Sequence, residues 1–180
     1  MRYQKITRTA LLIALCVVLG YLFLPIPNLE MITVGIFIAG VWMGPRTGAL
    51  IGFLAEAIYS VSNPMGFPPP PLLLAQVVSM SLVGLSGGLL RGFLLKSNFF
   101  HRRDWLRHLV LAGLGFFLTL IYDALTTISF PLSAGFSSQQ ILVAFSLGIP
   151  FMVMHLISNA FIFALIVPLI VTRFPAWRTP

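Results

Sequence analysis

Charge is what this chain has least of. Only 8% of its 180 residues are Asp, Glu, Lys or Arg, and only four of those are acids. A soluble domain carries roughly 25% charged residues, so a water-exposed globule of this composition is excluded. Cys16 is the only cysteine, which rules out an intrachain disulfide and any CxxC metal or redox site; it reads as a small apolar core residue. Three isolated histidines and four acids do not make a metal cluster. There is no P-loop, no GxGxxG after a strand and no HExxH. The sequence therefore predicts no metal, no cofactor, no catalytic residue and no means of hydrolysing ATP alone.

What the chain has in abundance is apolar sequence, 58% of the total. Several runs reach the roughly 20 residues that span ~30 Å of hydrocarbon. They are continuous rather than alternating, which selects helices over barrel strands. The expected fold is an all-α bundle of about six transmembrane helices forming one domain over 1–180, at approximately 7–24, 30–44, 47–63, 72–95, 107–129 and 149–172. Pro25, Pro27, Gly44-Pro45, Asn63-Pro64, Pro68 to Pro71, Phe130-Pro131 and Pro150 punctuate these spans. Residues 137–148 are a candidate separate interfacial helix. The N-terminus has the charge pattern of a signal peptide, but the segment Pro25 to Glu30 lacks a small-x-small cleavage pattern, so the first run reads as an uncleaved helix.

The basic residues set the orientation. With the N-terminus in the cytoplasm, segments 1–8, 44–47, 91–108 and 173–180 hold all 11 Lys and Arg residues, and the outer segments hold none. By the positive-inside rule both termini are cytoplasmic. This distribution turns the net charge of +7 away from nucleic acid and towards a cytoplasmic, inner-type membrane. The basic loop from Lys96 to Arg107, with Trp105 beside it, is suited to anionic headgroups.

Polar residues inside the membrane are expensive and each requires an account. Glu56, Tyr59, Ser60 and Asn63 follow i, i+3, i+4, i+7 and share one helical face. Tyr122, Asp123, Thr126 and Thr127 sit on the fifth run, His155, Ser158 and Asn159 on the sixth, and Gln76 and Ser79 open the fourth. Counted from the expected outer helix ends, Glu56 and Asp123 lie roughly 10 Å deep and Gln76 and His155 a little less. These groups are expected at one level in the outer half, lining a cavity open to the outside. Alternatively they form a structural network in which Glu56 or Asp123 pairs with His155. No Lys or Arg is available there to hold a carboxylate or phosphate, so a ligand is expected to be neutral or cationic. Tyr59, Phe67, Tyr122 and Phe130 are candidates to stack on a ring, or simple packing aromatics.

Gly84-Leu85-Ser86-Gly87-Gly88 matches G-x-S-x-G and the GxSG of rhomboid proteases, with His155 on the sixth run. Depth argues against it: Ser86 lies roughly 21 Å below the outer end of its helix and His155 roughly 9 Å, whereas a nucleophile and its base must lie within ~3 Å. Small residues also recur in fours on the cytoplasmic side: Ala10 and Ala14; Gly44, Gly48 and Gly52; Gly84, Gly88 and Gly92. Such spacing allows close helix approach, internally or to another membrane protein.

Taken together, the chain resembles the substrate-binding S components of energy-coupling-factor (ECF) vitamin transporters. The likeness rests on size, six helices, cytoplasmic termini, Thr9-Ala10-Leu11-Leu12-Ile13-Ala14 as the AxxxA of the first helix, Gly44-Pro45-Arg46-Thr47-Gly48-Ala49 with Gly52 as the glycine turn, and the outer loop Asn63 to Pro68. The resemblance implies high-affinity capture of a vitamin or precursor from outside, docking on a transmembrane coupling subunit driven by two ATPases, and toppling to release it inside. It implies docking through Ala10 and Ala14 and binding through Asn28, Gln76, Ser79, Tyr122, Asp123, Thr126, His155 and Asn159; Glu56 and Tyr59 join on depth alone. The start Met1-Arg2-Tyr3-Gln4 differs from the Met-His start of metal-uptake members. The lack of cavity Arg or Lys disfavours biotin, pantothenate, niacin and folate. Thiamine or its pyrimidine precursor, riboflavin, cobalamin, pyridoxine-type compounds and queuosine precursors remain, with cobalamin-type or pyrimidine-type ligands foremost. Two other classes stay open: a solitary transporter driven by a proton gradient, and a structural membrane protein without a small ligand.

Overall fold

The structure, a computed structural model, describes residues 2–26, 28–96 and 104–173. The apolar runs form six α-helices: α1 (Arg2–Phe23), α2 (Ile32–Met43), α3 (Pro45–Val61), α4 (Pro70–Lys96), α5 (Asp104–Ser133) and α6 (Ser138–Arg173). No strand occurs among the described residues. The inner basic loop, including Arg102 and Arg103, falls largely outside the described residues, as does Arg178; Trp105, at the start of α5, is exposed.

Four helices, α1, α4, α5 and α6, are long and apolar enough to cross a membrane. The 12 residues of α2 reach only about 18 Å, short of the hydrocarbon thickness. Its burial explains how it can be short. Nine of its 12 residues are buried, and it touches α1, α3, α4 and α6, so protein rather than lipid surrounds it. A helix apolar on every side is stable in such a place. Around it, exposure is the reverse of a soluble protein's: Leu11, Leu15, Leu22, Leu74, Phe117, Leu142 and Phe161 face outwards, while Thr33, Glu56, Ser60, Asp123, His155 and Asn159 are buried.

The α2–α3–α4 unit is held by backbone contact. A Cβ at Gly84 would stand 2.0 Å from the Gly48 carbonyl oxygen, one at Gly40 would stand 2.1 Å from that of Gly84, and one at Gly52 would stand 2.1 Å from that of Met80. Only glycine permits this approach, which gives close dispersion contact where no hydrophobic effect drives helices together. Gly44 turns α2 into α3 with φ of +85°, a conformation natural to glycine, and its N–H donates to the Gly40 carbonyl at 2.8 Å. Most of the small residues spaced by four on α3 and α4 are therefore consumed by internal packing. Ala10 and Ala14 are not: both are exposed on α1.

Prolines act differently at different sites. Pro45 starts α3 and Pro70 starts α4, as helix N-termini favour. Pro131 lies inside α5 and Pro150 inside α6, so α5 runs past the expected end near 129, and the separate helix expected at 137–148 is continuous with α6. In hydrocarbon a broken helix exposes several backbone groups, whereas an internal proline leaves fewer to be satisfied. The first three turns of α6 still bury nothing; burial begins at Met152 and recurs at His155, Leu156, Asn159, Phe163, Val167 and Val171.

Replacing Gly84 by Leu should prevent the α3–α4 approach and abolish monodisperse protein on size-exclusion chromatography in detergent. Gly113, around which a Cβ meets nothing within 4 Å, should accept alanine with an unchanged elution profile. Equal behaviour of the two variants would show that the glycine contact does not hold the bundle.

Candidate functional site

The polar residues of five helices and one loop meet in the bundle, centred on His155 of α6. Its Nδ1 lies 2.8 Å from Asp123 Oδ1 on α5, and its Nε2 lies 3.2 Å from Glu30 Oε1 in the loop before α2. Thr33 of α2 donates its hydroxyl to the same Glu30 oxygen. Both ring nitrogens face carboxylate oxygens, so either the ring is an imidazolium donating from both or one carboxyl keeps a proton. Either assignment leaves the trio with a net charge of −1.

Glu56 of α3 is 1% exposed. Its Oε1 accepts from Ser60 Oγ at 3.1 Å. It does not pair with His155; it stands within electrostatic reach of Glu30 and of the Tyr122 hydroxyl. Tyr122 in turn is within reach of Gln76 and sets its ring edge-on to His155, with centroids 6.1 Å apart. Asn159, 0% exposed and one turn beyond His155, lies within reach of Glu30. Six of the ten residues expected to bind a ligand therefore join one cluster: Glu56, Gln76, Tyr122, Asp123, His155 and Asn159.

The other four stand apart in various degrees. Ser79 donates to the Ala75 carbonyl and Thr126 to the Tyr122 carbonyl, the back-bonding usual for helical hydroxyls. Tyr59 turns its ring onto Tyr21 of α1, with centroids 5.0 Å apart, and its carbonyl accepts from the Tyr21 hydroxyl; it feels Glu30 and Glu56 electrostatically. Asn28 adopts φ of +57°, and its carbonyl, not its side chain, accepts from Ser158 Oγ. The loop between α1 and α2 is thus fastened to α6 twice, through Asn28 and through Glu30. The exposed Phe67 and Phe130 are outside the cluster; Phe130 meets Phe136 edge-on.

Glu30 is the residue that sequence reasoning missed. The sequence places it only at the expected start of the second helix, just after Pro25, Pro27 and Asn28. Only its proximity to His155, 125 positions along the chain, reveals its role, and the one local hint is Thr33 three residues on.

Several buried side-chain atoms in and around this cluster have no hydrogen-bond partner in the protein: Glu56 Oε2, Gln76 Oε1, Asp123 Oδ2, both amide atoms of Asn159 and, one turn deeper on α5, Thr119 Oγ1. Buried polar atoms in native proteins are nearly always paired; leaving one unpaired costs about 1–3 kcal/mol. Their concentration at one level favours a site that meets a guest. No metal-binding group of three His, Cys, Asp or Glu side chains was found among the described residues. Ser86 gives its hydroxyl to the Leu82 carbonyl, and both nitrogens of His155 face acids, so the serine–histidine geometry of a protease is absent.

The fold is a polytopic helical bundle with a buried acidic cluster. The family profile described as ECF transporter, substrate-specific component, matches residues 4–177. No curated protein and no solved structure matches the chain. The chain belongs to the substrate-specific components of ECF transporters: it is the substrate-capture subunit of such an importer, a transport protein and not an enzyme, and its partners are the coupling subunit and ATPases of the ECF module.

His155→Ala should leave Glu30 and Asp123 buried without their shared partner. Loss of one member of a buried ion pair costs about 3–5 kcal/mol, and a denaturant titration in detergent should show a fall of that order. A loss below about 1 kcal/mol, the worth of an exposed pair, would mean that the bridge does not form.

Proposed function

We propose that this chain captures a neutral or cationic vitamin, or vitamin precursor, from the outer side of the cytoplasmic membrane with high affinity. The binding residues are Glu56, Gln76, Tyr122, Asp123, His155 and Asn159, with Glu30 added; Asn28, Tyr59, Ser79 and Thr126 form its margin. The observation that carries this reading is the set of buried, unpartnered polar atoms on Glu56, Gln76, Asp123 and Asn159, set around a trio of net negative charge. A purely structural network would pair these atoms with one another, and Glu56 Oε2 and both amide atoms of Asn159, unlike the Glu56 Oε1 that Ser60 holds, make no such hydrogen bond. The absence of Lys and Arg from the outer segments supports exclusion of anionic substrates.

Ala10 and Ala14 lie one turn apart on the exposed face of α1, where small side chains allow another helix to approach closely. We assign them to the coupling subunit. A gradient-driven carrier working alone would tolerate bulk there.

A thermal-shift screen of the purified protein against vitamins and precursors tests the capture reading. A ligand confined to the folded state adds RT ln(1 + [L]/Kd), roughly 4 kcal/mol at a thousandfold excess; a neutral or cationic compound should produce a clear rise in Tm, and carboxylate or phosphate vitamins none. Absence of any shift across the panel would overturn the vitamin reading. Separately, Ala10→Leu with Ala14→Leu should abolish uptake in cells while leaving that thermal shift intact. Retained uptake would remove the docking assignment.

A further inference from the structure

We infer that Glu56 anchors a cationic nitrogen group of the substrate carrying at least two N–H donors, of the amine or amidine class. The inference rests on the capture reading above and specifies what the outer cluster selects for.

Hydrogen-bond chemistry gives the first argument. Of the unpartnered buried atoms in and around the cluster, Gln76 Oε1 and Asn159 Oδ1 accept, Glu56 Oε2 and Asp123 Oδ2 accept when their carboxyls are ionised, Asn159 Nδ2 donates and Thr119 Oγ1 can do either. A guest that satisfies these atoms must bring donors. A carboxylate has about four lone-pair sites; Ser60 occupies one on Oε1 of Glu56, which leaves room for a second donor beside the one reaching Oε2.

Charge gives the second. Glu30, His155 and Asp123 together carry −1 under either placement of the shared proton. Glu56 is a third acid in this cluster, and the cluster's only basic side chain is already held between the other two. An ionised carboxylate without a partner is costly in a region of low dielectric; a cation supplied by the substrate removes that cost and makes each N–H···O bond charge-assisted, the stronger kind. The cluster thus distinguishes ligands in two ways, by charge and by donor count. Tyr122, within reach of both Glu56 and Gln76, stands where it can border the bound group.

Four small probes separate these requirements in a thermal-shift titration of the intact protein: benzamidine, a cation with N–H donors; benzyltrimethylammonium, a cation without them; benzamide, neutral with donors; and benzoate, an anion. Benzamidine should raise Tm with concentration, the next two should bind at least tenfold more weakly, and benzoate should have no effect. Glu56→Gln, close in shape, should weaken benzamidine at least tenfold. Should that variant not elute as a single folded species, the rank order on the unaltered protein decides. Equal binding of benzyltrimethylammonium or benzamide, or no effect of benzamidine, overturns the inference. A vitamin without such a group that stabilises the protein and Glu56→Gln alike overturns it too, while leaving the capture reading standing; silence from both the vitamin panel and the probes removes both.

Discussion

The architecture depends on backbone approach at glycine. With Gly48 and Gly84 facing each other and Gly40 against Gly84, α2, α3 and α4 pack too closely for any side chain to intervene. Within a membrane this contact replaces the hydrophobic drive that assembles soluble bundles. It also explains why α2 can be so short. Enclosed by four other helices, its 12 residues need not match the bilayer. Glu30, two residues before it, stands 3.2 Å from His155.

The second determinant is the sharing of one histidine between two acids. Glu30 and Asp123 come from different elements, a loop and α5, and His155 on α6 unites them. Fastening the loop at Asn28 as well draws the α1–α2 connection over α6. A polar cluster of this kind is costly in hydrocarbon unless each member is satisfied. Here one oxygen of each acid is paired with His155, while Asp123 Oδ2 and atoms of Glu56, Gln76 and Asn159 stay open. That division, rigid ion pairs beside open acceptors, suits a site that keeps its shape while receiving a guest.

The two ends of the molecule serve different contacts. The outer half gathers acids and amides. The cytoplasmic half offers glycines to its own core and, on α1, Ala10 and Ala14 to the outside. Membership in the substrate-specific ECF family accounts for this polarity: substrate is met on one side of the membrane and the driving machinery must be met from within it.

The sequence alone determined the helical class and the number of helices, because hydrocarbon length acts locally along the chain. It also marked Glu56, Asp123, His155 and Asn159, since a polar residue within an apolar run is conspicuous without any structure. It did not separate Ser79 and Thr126, whose hydroxyls turn back to their own helices, from groups free to face a ligand, because both look alike in one dimension. It mistook Pro150 for a boundary, as the penalty for a proline was weighed without the greater penalty for ending a helix in lipid. Glu30, placed at the start of the second helix, was not marked as a site residue. Only the tertiary structure decided that this acid belongs with His155, that Glu56 stays outside their ion pair, and that most of the α3 and α4 glycines serve internal packing. Each of these depends on which helix lies beside which, and a pairing across 125 residues has no trace in local pattern.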